Sequence, residues 1–308
     1  MIALVTRRLA VAVPTLFVII AAAFFLMRVA PGGPFDAERQ LAPEVEQRVK
    51  AAFNLDKPVT TQFALYLSAA ARGDLGPSLK YKDKDVADII AEGLPTSALI
   101  GFASMLVGVA IGGVLGVLAA LRQNKAQDFA VMSVALIGVC VPPLVMGPLL
   151  SLVFGVQLHW LPTAGLARDQ YSFRHLLLPV ATLALPQIAV ISRLMRAAMI
   201  EAMRSNAVRT ARAKGLPERL VVLRHALPAA ALPVVSYLGP AAASVITGSF
   251  VIETVFQLPG LGRQFVMGAL SRDYTLVMGV VILYAVLIIL LNLAADMLYR
   301  ALDPRTRT

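Results

Sequence analysis

Residues 94–121 read LPTSALIGFASMLVGVAIGGVLGVLAAL, a stretch without a single Asp, Glu, Lys, Arg or His. A helix that crosses a bilayer needs about 20 mainly apolar residues, so this stretch predicts a membrane span. Gly108, Gly112 and Gly116 recur within it at four-residue steps, a small-residue face on which a second helix can pack closely. Five more uncharged runs follow the same logic: residues 9–27, 129–158, 176–192, 226–252 and 274–295. The run at 176–192 is the shortest and needs neighbouring residues to complete a crossing. With 58% hydrophobic and 15% charged residues, the 308-residue chain lies outside the soluble globular range. The first run follows Arg7 and Arg8 as in a signal peptide, but it exceeds a typical apolar signal region and closes on Arg28. It reads as a retained span.

A net charge of +10 invites a nucleic-acid reading, which the charge distribution excludes. With the N-terminus in the cytoplasm, six spans place residues 1–8, 122–128, 193–225 and 296–308 on that side. These segments hold 15 of the 28 basic residues and only 5 of the 18 acidic ones. That is the positive-inside bias, and it predicts a multi-pass protein with both termini inside. Anionic lipid and cytoplasmic partners are the electrostatic targets it favours. The single cysteine, Cys140, sits within the third run and cannot form an intrachain disulfide.

Residues 31–93 form the one sizeable segment outside the spans. Pro31-Gly32-Gly33-Pro34 ends the first span, and Pro43 with Glu44 and Glu46 has the look of a first helical turn carrying Val45, Val49, Ala52 and Phe53. A second short helix is expected from Pro58 toward Gly73, bearing Phe63, Tyr66 and Leu67. Gly73-Asp74-Leu75-Gly76-Pro77-Ser78 is turn-forming, and Asp85 to Ile90 reads as a last helical turn or two of this outer segment. Together they predict a small helical cap on the outer mouth. Prolines at 142, 143, 148, 179, 186, 228, 233 and 240 fall in or beside spans three to five. Each removes a backbone hydrogen bond, which lipid tolerates where protein or a water-filled cavity satisfies the freed carbonyl. Spans bent around a path are one reading, and packing kinks the other.

No catalytic constellation emerges. His159, His175 and His225 lie at span ends, metal-ligand spacing is absent, and no Gly-Lys dipeptide exists to build a phosphate loop. The spans hold no Asp, Glu or His for a proton relay. Uphill transport by this chain would therefore draw its energy from a partner. The candidate contact is the long basic loop from Glu201 to Pro228. Ala207, Thr210, Ala211 and Lys214 can fall along one side of a helix there, and Gly215 before Leu216-Pro217 is a plausible stop. Spacing alone leaves two readings level, a docking helix for another protein and a basic helix lying on anionic lipid.

This loop resembles the EAA loop of bacterial ABC import permeases, in which Glu-Ala-Ala, three residues, Gly, nine residues and a hydrophobic-x-Leu-Pro close follow in order. Gly215 and Leu227-Pro228 are in register and Ala211 matches the second alanine. Arg209, Thr210 and His225 depart from the pattern, in the manner of the peptide-transporting branch. Met27-Arg28-Val29-Ala30-Pro31-Gly32, Gly73 to Ser78 followed by Lys80-Tyr81-Lys82-Asp83, Gly248 to Glu253 leading to Leu258-Pro259-Gly260-Leu261-Gly262, and Leu302-Asp303-Pro304-Arg305 extend the resemblance along the whole chain. It is nearest the B-type permeases of oligopeptide importers, with dipeptide, nickel and glutathione permeases as relatives.

The resemblance implies an all-α membrane protein of the bacterial inner membrane, with six transmembrane helices in the type I importer fold. It implies a periplasmic helical segment at 31–93 and a core at 94–308, with spans near 94–121, 129–156, 174–198, 226–250 and 275–299 and a coupling loop at 201–225. The chain would be a non-enzymatic pore subunit without cofactor or metal, ATP and Mg²⁺ being held by partners. Those partners would be a second homologous permease, two cytoplasmic ATPases and a periplasmic peptide-binding protein. Ala207, Arg209, Thr210, Ala211, Arg212, Lys214 and Gly215 would form the ATPase-docking helix, and Glu253, Pro259, Gly260 and Gly262 would lie at the outer gate. A self-sufficient carrier or channel is the reading from another class.

Overall fold

The computed structural model describes residues 2–29, 54–81, 83–165 and 173–302, with side chains from residue 6 onward. The turn expected at Pro31 to Pro34, the helix expected from Pro43 to Phe53, Lys82 and the closing Asp303-Pro304-Arg305 lie outside these residues. Eleven α-helices make up nearly all of what is described: α1 (Ile2–Val29), α2 (Val59–Ala70), α3 (Val86–Leu121), α4 (Ala126–Cys140), α5 (Pro143–Leu150), α6 (Phe173–Met203), α7 (Asn206–Ala213), α8 (Glu218–Val221), α9 (Leu227–Val255), α10 (Leu261–Ser271) and α11 (Tyr274–Leu302). Two wide π-helical turns, Ser151–Gln157 after α5 and Val222–Ala226 between α8 and α9, complete them.

Five helical stretches are long and apolar enough to cross a membrane among the described residues: Thr6–Val29, Val86–Leu121, Phe173–Met203, Glu218–Val255 and Tyr274–Leu302. A sixth is a broken pair. The uncharged run 129–158 is not one continuous helix: Ala126–Cys140 and Pro143–Gln157 meet at 104°. The cause is Pro142-Pro143. Val141 is extended at φ −92° and ψ 116°, where the following proline ring pushes it, and Pro143 starts the next helix from its first turn. Prolines 179, 186, 233 and 240, by contrast, sit inside helices that continue through them.

The expectation that Asp85 to Ile90 closes the outer segment is corrected. Val86 begins α3, which runs 36 residues to Leu121 without a break at Pro95. At 1.5 Å per residue such a helix outreaches a hydrocarbon core of about 30 Å, so part of it projects beyond.

Apart from Met1, the chain divides into two compact units, residues 96–258 with 288–308 and residues 2–95 with 259–287. In the first, α3, α4 and α9 pack on α6. Gly116 of α3 allows one such approach: a Cβ there would lie 2.6 Å from the Ser192 carbonyl oxygen of α6, a clash no side chain avoids. One apolar cluster gathers Ile191, Met195 and Met199 of α6 with Val208, Val221, Ala226 and Val234. Another gathers Ile100, Leu178, Leu183, Val245, Ile252 and Phe256. In the second unit, Ile20 and Phe24 of α1 pack with Met278 of α11 and with Phe63, Tyr66 and Leu67 of α2. Burial raises the Tyr66 hydroxyl pKa, since the phenolate would lose its hydration.

Candidate functional site

The basic loop is a folded structure. After α6 ends, the Ser205 and Arg204 amides close a tight turn on Ala202 and Glu201. Ser205 then caps α7, its Oγ accepting from the Val208 amide at 3.4 Å, as serine at this position commonly does. Gly215 ends the helix. Its φ of +74° lies in the left-handed region that side chains disfavour, and its amide reaches the Arg212 carbonyl at 2.9 Å. Leu216 N closes the same end by donating to the Ala211 carbonyl at 3.3 Å.

Two residues fasten α7 to the body of the unit. Val208 and Ala211 are 0% and 3% exposed and join the cluster formed by Met199, Ala202, Val221 and Val222. Ala207, Arg209, Thr210, Arg212, Lys214 and Gly215 are all exposed. Ala211 therefore faces inward, contrary to the single face drawn through Ala207, Thr210, Ala211 and Lys214. Val208, the one sizeable apolar side chain in the helix, sets the buried direction, and Ala211 lies one turn along on its side.

The exposed side of α7 is basic and partly ordered by a neighbour. The Arg212 guanidinium donates through Nε and Nη2 to both carboxylate oxygens of Glu218, at 3.1 and 2.5 Å. This contact holds the Arg212 pKa above its ordinary value, although both side chains remain in water. The Val222–Ala226 π turn follows, with half-buried His225, and delivers Leu227-Pro228 into α9.

Two polar anchors were not singled out from the sequence. Asp128, 1% exposed at the start of α4, receives a two-pronged contact from Arg196 of α6 at 2.5 and 2.6 Å and the Asn124 amide at 2.9 Å. Asp128 stands just before the uncharged run 129–158, but Arg196 lies four positions beyond 176–192, behind Arg193, so the sequence does not mark the two as a pair. In the second unit, Asp273 is fully buried. Its carboxylate accepts from Ser78 Oγ, from the Leu79 amide at 3.2 Å, the Lys80 amide at 3.3 Å and the Leu276 amide at 3.1 Å. It joins the turn after Gly76 to the start of α11.

The residues expected at an outer gate are placed as follows. Glu253 is fully buried near the end of α9, and its carbonyl accepts from the Leu258 amide at 2.8 Å. Pro259 is exposed, while Gly260, the N-cap of α10, and Gly262 are buried.

Residues 112–308 match the family described as the binding-protein-dependent transport system inner membrane component, and residues 1–100 match its N-terminal companion. The chain is 48% identical over 307 residues to the oligopeptide transport system permease protein OppB of Escherichia coli K12, covering 100% of both. It is 39% identical to the dipeptide transport system permease protein DppB of Bacillus subtilis, over 95% of this chain and 94% of that one. Among solved structures, an inward-facing MetNI methionine ABC transporter superposes with a TM-score of 0.58 at 20% identity, over 70% of this chain and 96% of that one, and shows the same type I importer fold. Helical throughout nearly all its described residues, with up to six potential crossings among them and family models matching residues 1–100 and 112–308, the chain belongs to the binding-protein-dependent transport system inner membrane components.

Proposed function

We propose that the chain is one of two homologous pore subunits of an ATP-binding-cassette importer that moves oligopeptides from an external binding protein into the cytoplasm. The observation that carries the reading is 48% identity over 307 residues with an oligopeptide permease, covering 100% of both chains. In this reading ATP and Mg²⁺ belong to two separate ATPases, and both termini face the cytoplasm.

The coupling role falls to α7. A helix rooted by Val208 and Ala211 in the cluster of α6 and α9 moves with those spans, while Arg209, Thr210 and Lys214 stay free for a foreign surface. Closure of the ATPases would shift α7 as a rigid piece and bias the spans between two packed states. Glu253, Pro259, Gly260 and Gly262 would serve the gate on the opposite side.

Reconstitution tests this. Liposomes holding this chain alone are expected to show no peptide flux. Those holding both permeases, the ATPases and the binding protein take up oligopeptides when ATP is supplied. Flux through the lone chain without ATP would favour a self-sufficient carrier and overturn the proposal.

A further inference from the structure

The face of α9 turned away from the core is unlike the exposed face of α3. Pro233, Ser236, Pro240, Ser244, Thr247, Val251 and Thr254 are all exposed, at steps of three or four residues that place them on one side of the helix, and four of the seven carry hydroxyls. Val234, Ala241, Val245 and Ile252 occupy the buried side. Along residues 99–118 of α3 the exposed side chains are instead mostly large and apolar, Phe102, Leu106, Val114 and Leu118 among them, as a lipid-facing surface requires. The α9 stripe also carries unspent polarity. Ser236, Thr247 and Thr254 donate to carbonyls one turn back, at 3.2, 3.1 and 2.9 Å, leaving hydroxyl lone pairs outward. Pro240 has no N–H for the carbonyl of Ser236.

A half-open cavity of about 410 Å³ meets this stripe, within the usual span of roughly 300–1,000 Å³ for small-molecule sites. Pro143 at the α4–α5 break, Pro186 and Gln187 of α6, and Tyr237, Ser244 and Thr247 of α9 line it, with apolar valines between and no charged side chain. Gln187 is only 3% exposed. Its Oε1 accepts from the Tyr237 hydroxyl at 3.1 Å, and among the described residues its Nε2 makes no hydrogen bond. Gly108 makes room for it: a Cβ there would lie 2.7 Å from Gln187 Cβ.

Resting on the importer reading, we propose that the stripe and the cavity wall a water-filled passage that takes extended peptide by its main chain. Gln187 and Tyr237 would exchange their mutual contact for peptide amides and carbonyls. Neutral hydroxyls, an amide and a freed carbonyl match what every peptide shares. A charged wall would sort peptides by side chain, and a purely apolar wall would leave their backbone groups unsatisfied.

The test uses the assembled transporter in membrane vesicles, with Cys140→Ser as background and single cysteines at Ser244, Thr247 and Thr254 or at Phe102 and Leu106. A charged, lipid-insoluble methanethiosulfonate should modify the α9 positions about tenfold faster or more, because only a hydrated thiol ionises. Peptides with acidic, basic and apolar side chains should all slow it. Equal, slow modification of both sets overturns the passage. Protection by one charge class only, or by no peptide, overturns main-chain recognition. Gln187→Leu should lower uptake of all three peptide classes by a similar factor, about fivefold for one neutral hydrogen bond, and unchanged uptake would overturn the assigned role. Wild-type uptake is measured in the same vesicles. Its absence sinks the importer reading itself, whereas normal uptake with an unreactive stripe sinks only the passage.

Discussion

Two connections between long helices are built on opposite principles. The one from α6 to α9 through α7 is held by apolar burial, with Val208 and Ala211 inside and Arg209, Thr210, Arg212 and Lys214 outside. The one leading into α11 is held by a buried carboxylate, Asp273, which turns its hydrogen-bonding capacity inward onto Ser78, Leu79, Lys80 and Leu276. A connection that satisfies itself has little polarity left for a partner. A connection anchored by two small apolar side chains keeps its polar face for one. The difference is what the proposed docking role of α7 rests on, and it leaves Asp273 as internal framework.

The largest effect is expected at the framework. Asp273→Ala strands the Ser78 hydroxyl and the Leu79 and Leu276 amides, the Lys80 amide keeping Ser78 Oγ, and should cost about 3 kcal/mol or more, read as a lowered melting temperature of the purified protein, with Asp273→Asn recovering part of it. Removing half of the other polar anchor comes next. Asp128→Asn weakens a charge pair whose arginine is 27% exposed, so the loss is discounted to roughly 2–3 kcal/mol. At α7 the comparison sharpens. Val208→Ala should cost about 1.5 kcal/mol, two buried methyl groups, and loosen the helix from its cluster. Gly215→Ala meets no atom within 4 Å, so only its left-handed backbone penalises it, by about 1 kcal/mol. Gly215→Asp adds a surface charge to that strain and should reduce ATPase co-purification and uptake while the protein stays in the membrane. Uptake unchanged in that variant would remove the docking role.

Much of the architecture was readable from runs of uncharged residues, because a bilayer imposes length and composition on anything that crosses it. The α7 helix was readable too, from its small residues and from Gly215 before Leu216-Pro217. Which side of α7 faces inward was not. Ala207 and Ala211 differ in sequence only by one turn, and the tertiary cluster around Val208 decides between them. The corner at Val141 was concealed because proline predicts a disturbance but not its size: Pro186 is absorbed within α6, whereas Pro142-Pro143 turns the chain by 104°. Asp128 and Arg196 are 68 positions apart, and only the fold brings them together. The hydroxyl stripe of α9 was not singled out in the sequence, where Pro233, Pro240 and Val251 share its steps, and only the burial of its opposite face gives it meaning.

The central claim is that α7 shows a partner ATPase the face bearing Ala207 and Thr210 and keeps Ala211 for itself. Single cysteines at these three positions, on the Cys140→Ser background and in the assembled transporter, test it by short-range cross-linking to the ATPase subunits. Cross-links from positions 207 and 210 with none from 211 are the predicted result. Equal cross-linking from 211, or reaction of 207 and 210 with lipid-soluble reagents but with no ATPase, would contradict it.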